Sequence, residues 1–233
     1  MSAAGGTISM LVGAVLLRLT FTDTYRRYVR PDMGRWLIVA GIAVAMLGLV
    51  TLVRAVRSGP AAAAHGDHDH DHDHGHGIGV GWLLLAPIAA LLLVAPPTLG
   101  SYGVDRAARV DIRAGKAVFD RLPQTAEPRP MTLLEFSQRA FDHDGASFGS
   151  ATIQLTGFVA GAQPGGFRLA RYQIACCAAD AVPVVVRVVG TIGGSAPTDQ
   201  WVVANGKFKR GGALPMLAAT SVTEIPTPDD PYE

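Results

Sequence analysis

Both cysteines of the chain stand side by side, as Cys176 and Cys177, in the run Arg171-Tyr-Gln-Ile-Ala-Cys-Cys-Ala-Ala-Asp180. Two thiolates next to a carboxylate, Asp180, form a donor set for a soft or borderline metal ion. In a regular strand neighbouring side chains point to opposite faces, so both sulfurs reach one ion only where the strand bulges or ends. The Ala-Ala-Asp that follows predicts an end. Thiol redox chemistry is a second use, and it requires a pKa lowered by a cation such as Arg171 or Arg187. The plain alternative is that one cysteine fills a core as a small apolar residue. A disulfide between neighbours closes a strained ring, so no stabilising staple is expected.

The second chemistry-bearing stretch holds six of the chain's seven histidines, His65, His68, His70, His72, His74 and His76. They are interleaved with Asp67, Asp69, Asp71 and Asp73. In an extended chain this period of two sets imidazoles on one side and carboxylates on the other. Neutral imidazole suits Zn²⁺, Ni²⁺ and Cu²⁺, and nearby carboxylates offset the metal charge. Ordering a flexible loop costs entropy, so exchangeable binding is expected, weakening below about pH 6.5 as the imidazoles protonate. A solvated repeat linker is the bland reading. His143, between Asp142 and Asp144, reads as a polar helix end. CxxC, HExxH and Walker patterns are missing, and no nucleophile–base spacing stands out, so an enzyme is not expected.

The elements that must position these residues fall into two unlike halves. The 233 residues carry a net charge of +1, which disfavours a nucleic-acid partner. Residues 1–100 read as a transmembrane domain with spans at about 3–21, 36–53 and 78–96, each near the roughly 20 residues a bilayer needs. Arg18 sits near the end of the first span. Gly41, Ala43, Ala45 and Gly48 in the second permit close helix approach. The histidine loop occupies 65–77. Three crossings place Arg26, Arg27, Arg30 and Arg35 on the same side as Arg106, Arg109, Arg113 and Lys116. The opposite side has Arg54 and Arg57, and the positive-inside rule then sets the C-terminal domain in the cytoplasm.

Residues 101–131 read as an irregular connector. Thr132-Leu-Leu-Glu135 is a capping box that opens a short helix to about Phe141. From there the pattern turns β: 151–160 alternates, and 167–177, 182–189, 201–204 and 213–225 read as further strands. Gly165-Gly166 and Gly193-Gly194 read as turns, and Asn205-Gly206 as a hairpin. The expected class is membrane α + β, with three N-terminal transmembrane helices followed by a small closed β-barrel, OB-like, after a short helix over 132–233. A β-sandwich fragment is the alternative. Trp201 reads as a core or rim aromatic, since no basic aromatic groove accompanies it.

Together, Tyr28-Val-Arg-Pro31, the His/Asp loop before a span ending Ala95-Pro-Pro-Thr98, Gly157-Phe-Val159, the Arg171–Ala181 segment and Trp201-Val-x-x-x-Gly206 resemble the YcgQ-like family of two-component permease subunits. The resemblance covers nearly the whole chain, and Cys-Cys-Ala-Ala-Asp-Ala is its most specific part. It implies an accessory membrane subunit beside a separate polytopic permease encoded nearby, with a suspected link to zinc. It is also compatible with a C-terminal domain outside the cytoplasm, against the charge count, and both orientations stay open. The expected function is therefore a multi-pass membrane subunit that binds or hands over a divalent transition metal, zinc first, at Cys176, Cys177 and Asp180 and at the histidine loop. The rival readings are a metal-free docking module for the permease and a thiol-redox enzyme.

Overall fold

The structure, a computed structural model, describes residues 3–57, 98–106, 119–125, 127–190 and 197–233. They form two compact units, one of residues up to Tyr25 and from Pro31 onward through the second helix, the other of Arg26–Arg30 and the C-terminal part.

The first unit is a helical pair. Helix α1 spans Ala3–Phe21 and α2 spans Gly34–Arg57. Their contact is built on glycines seven residues apart. A Cβ added at Gly13 would lie 2.6 Å from the Ala45 backbone nitrogen, and one at Gly48 would lie 2.5 Å from that of Met10. Gly41 and Gly48 are buried on this face while Ala43 is exposed, so three of the four small residues read from the sequence serve the contact. The far side of α2 presents Val39, Ile42, Met46, Val50 and Val53 outward.

By length and composition one helix among the described residues, Pro31–Arg57 with 27 residues, can cross a membrane. The apolar part of α1, Gly5–Phe21, is shorter; at 1.5 Å per residue it is about 25 Å long against a hydrocarbon core of about 30 Å. The expectation of three spans is thus corrected to one candidate helix, with the stretch 78–96 outside the described residues.

The second unit is a barrel. Its strands are β1 (Arg129–Met131), β2 (Ile153–Gln163), β3 (Gly166–Gln173), β4 (Val182–Val189), β5 (Trp201–Lys209) and β6 (Met216–Ile225). Strand β2 pairs antiparallel with β3 through its second half and with β5 through its first half. The ring runs β2-β3-β4-β6-β5 and back to β2, with β4 and β6 parallel. A closed five-stranded ring in this order is OB-like. Closure needs β2 to bend. At Gly157 an added Cβ would stand 2.6 Å from the Ala170 carbonyl, so only glycine lets β3 come this close.

Helix α4 (Leu133–Phe141) plugs one end, preceded by a four-residue turn, α3 (Ser101–Val104). The Thr132 hydroxyl accepts from the Glu135 amide at 3.0 Å, the N-cap read from the sequence. Glu135 does not close the box; its carboxylate pairs with Arg139 at 2.8 Å. Leu133, Phe136 and Ala140, at helical spacing, enter the main core with Ile153, Leu155, Leu169, Val184, Val186, Val202 and Leu217. Phe148 stacks on Phe208 at 4.7 Å and tilts against Phe136 at 5.0 Å.

Two sequence expectations change here. Asn205-Gly206 is no hairpin turn: it lies inside β5 at a register shift against β6. An added Cβ at Gly206 would sit 2.3 Å from the Ala218 carbonyl, so this glycine serves a close strand approach. The connector 101–131 also contributes structure, since β1 pairs in parallel with the start of β2.

Candidate functional site

The site begins where β3 is stopped. Next to the main core lies a second cluster of Phe158, Tyr172, Ile174, Trp201 and Tyr232. It draws the C-terminal residues against the end of β3. The Glu233 amide donates to the Tyr172 carbonyl at 2.9 Å, and the Ile174 amide donates to the Glu233 carbonyl at 3.1 Å. Arg171 completes this clamp by donating to the carbonyls of Asp230 at 2.7 Å and Tyr232 at 3.2 Å. The Glu233 side chain, 3% exposed, lies 3.8 Å from the Arg171 guanidinium and accepts from the amides of Leu133 and Leu134 at the start of α4. Burial pushes its carboxyl pKa up against these favourable contacts.

With the end of β3 held, the chain turns at once. Regular pairing stops at Gln173, four residues before the expected end at 177. Residues 178–180 then form a single 3-10 turn, Ala178–Asp180, ahead of β4. The Asp180 carboxylate closes the turn, accepting from the amides of Ala175 at 2.8 Å, Cys176 at 2.9 Å and Cys177 at 3.2 Å. Neighbouring side chains no longer diverge, and the two sulfurs stand 3.6 Å apart. Cys176 is exposed and Cys177 half-buried, so neither fills the barrel core.

The ligand atoms of Cys176, Cys177 and Asp180 all lie within 4.8 Å of one another. Electrostatics tie them together. The Cys176 thiol, donating to the Asp180 carboxylate and also facing Cys177, is pushed up to about 12. The same thiol bond and the three amides pull the Asp180 carboxyl down to about 2. The arginines considered from sequence as thiol activators act elsewhere: Arg171 on the tail, and Arg187 on the Pro164 carbonyl at 2.9 Å.

An isolated β-bridge borders the thiols. Val29 forms an antiparallel bridge with Cys177, the Arg30 amide donates to the Cys176 carbonyl at 3.2 Å, and the Ala178 amide donates to Tyr28 at 2.7 Å. The Tyr232 hydroxyl holds the same segment by donating to the Arg27 carbonyl at 2.7 Å.

Of the residues singled out from sequence, Cys176, Cys177 and Asp180 are brought together. His65, His68, His70, His72, His74, His76, Asp67, Asp69, Asp71 and Asp73 lie outside the described residues. His143 is exposed, its ring bonded to Asp142 at 2.7 Å. Trp201 is buried in the second cluster. Sequence reasoning missed Val29 and Glu233. Val29 lies in the Tyr28-Val-Arg-Pro31 motif, which assigned it no role, and Glu233 belongs to no local pattern.

A comparison with curated proteins found no match. Residues 6–107 match the DUF1980 N-terminal domain and residues 138–233 the DUF1980 C-terminal domain. The chain thus carries both domains of the DUF1980 family, a family of domains of unknown function.

Proposed function

We propose that this chain is a membrane-anchored subunit that holds a divalent transition metal, zinc first, at Cys176, Cys177 and Asp180 and hands it to a partner permease. The observation that carries the reading is the convergence of two sulfurs and a carboxylate within 4.8 Å on an exposed turn. Three protein donors leave one tetrahedral position open, which suits transfer better than permanent storage. Cys176 is exposed, so an incoming ligand can reach the ion. Soft sulfur with one carboxylate favours zinc over magnesium or calcium.

The helix Pro31–Arg57 supplies an anchor by length and composition. Further spans, the polytopic permease partner and the histidine loop as a lower-affinity metal reservoir belong to the same proposal. They draw on the apolar runs of the sequence and on the resemblance to permease subunits. The reading assigns binding and delivery, without a catalysed reaction.

One observation favours a second reading. The Asp180 carboxylate already accepts three backbone amides, as a turn-building residue would. The C-terminal barrel is then a metal-free docking module for the permease. Thiol-redox catalysis is disfavoured, because the Cys176 thiol is pushed up rather than down.

Cobalt(II) titration of the purified full chain separates these. Sulfur-to-cobalt charge-transfer absorption, kept when Asp67–His76 is deleted and lost in Cys176→Ser with Cys177→Ser, is the expected result. Cobalt spectra of nitrogen and oxygen ligation alone would remove the metal reading and leave the docking module.

A further inference from the structure

We propose that metal at the thiol pair clamps the segment Tyr28–Arg30 onto it, so that the connector joining α1 to α2 responds to metal occupancy; this rests on the metal-binding reading above. The contacts are specific. Val29 bridges Cys177, and the two hydrogen bonds of that bridge use the Cys176 carbonyl and the Ala178 amide, the groups on either side of Cys177. The connector therefore pairs with the same backbone that carries both sulfurs. The same segment is also held to the barrel by the Tyr232 hydroxyl, which donates to the Arg27 carbonyl at 2.7 Å.

The direction of the coupling follows from chain entropy. The ligand atoms of Cys176, Cys177 and Asp180 stand within 4.8 Å of one another on one turn. A cation among them cross-links residues 176–180 and fixes the edge on which Val29 pairs. An edge already ordered by metal accepts the connector at a smaller cost in conformational freedom. Linkage makes this reciprocal: the factor by which metal strengthens docking is the factor by which docking strengthens metal binding. Chain connectivity passes the effect on, since Arg30 runs directly into Pro31 and then α2.

Amide exchange on the full chain in detergent, with and without Zn²⁺, tests this. Exchange at the Arg30 and Ala178 amides is expected to slow about tenfold on saturation, as for locally opening structure that gains a bound ligand. The Cys176→Ser, Cys177→Ser double variant is expected to show no such change. Tyr232→Phe, which removes the hydroxyl anchor, is expected to bind Zn²⁺ several-fold more weakly while keeping sulfur-to-cobalt absorption. The wild-type comparison depends on no variant folding. Sulfur-to-cobalt absorption together with unchanged exchange across 26–30 overturns the coupling and leaves the metal site standing. Loss of the sulfur-to-cobalt signal in the wild type overturns both.

Discussion

Asp180 does two jobs at the scale of one residue. Its charge builds the turn by collecting three amides, and it also faces the Cys176 sulfur. Asparagine in its place keeps the size and loses the charge, so the Cys176 thiol pKa is expected to fall from about 12 toward the ordinary thiol range. Iodoacetamide labelling at pH 8 should then speed up by about tenfold or more, since the thiolate is the reactive form. Metal binding must also expel the Cys176 proton. Zinc affinity is therefore expected to climb with pH around neutrality, by up to about tenfold per unit for each proton released.

Glu233 gives an opposite kind of pH signature. Its folded carboxyl lies above its ordinary value of 4.5 because it is buried. The native state then holds the proton more tightly than the unfolded chain, so this residue's contribution to stability falls as pH rises above 4.5. Asp180, pulled down to about 2 from 3.8, adds stability above 3.8 that is lost as pH falls toward 2. Urea midpoints measured on either side of pH 5, with and without Glu233→Gln, check the sign. The glutamine variant is expected to lose the decline on the alkaline side. The Cys-Cys-Asp turn was legible in the sequence because all its members lie within five residues. Glu233 was not, since it caps α4 from 100 residues away, and that contact exists only once the barrel has closed.

At the scale of elements, the strands were largely legible. The β pattern gave β2 to β4, and 182–189 matches β4 residue for residue. The error at Asn205-Gly206 has a physical source. The pair carries hairpin chemistry, but here the glycine relieves a close approach inside a long strand, and the chain turns after Lys209 instead. Gly206→Val places branched carbon 2.3 Å from the Ala218 carbonyl, a contact that must be relieved by backbone movement. A loss of about 2–4 kcal/mol in urea unfolding is expected, in the range of overpacked cores and broken ladders. Thr132→Ala removes the N-cap of α4 and is expected to cost about 1 kcal/mol. The helical pair was legible through its small residues, because a seven-residue glycine spacing returns to the same face every two turns. The expected run 3–21 matches α1, whereas α2 runs beyond the expected 36–53 at both ends, to Gly34–Arg57.

For the whole molecule, what matters is that an exposed thiol turn is fixed to a closed barrel by contacts distant in sequence. The β2–β5 pairing, the tail clamp on Arg171 and the Val29 bridge each join residues far apart in the chain. Order of elements could be read in advance, whereas these long-range closures depend on the ring as a whole. The barrel holds the turn, the turn brings two sulfurs and a carboxylate together, and the helix Pro31–Arg57 is long and apolar enough to cross a membrane. The central claim is that Cys176, Cys177 and Asp180 jointly ligate a transition metal. X-ray absorption at the zinc edge of the full chain, loaded with one equivalent of Zn²⁺, tests it most directly. The expected spectrum shows two sulfur neighbours at about 2.3 Å with lighter ligands near 2.0 Å, and the sulfur shell vanishes in Cys176→Ser with Cys177→Ser. A first shell of nitrogen and oxygen alone in the wild-type protein would contradict the claim.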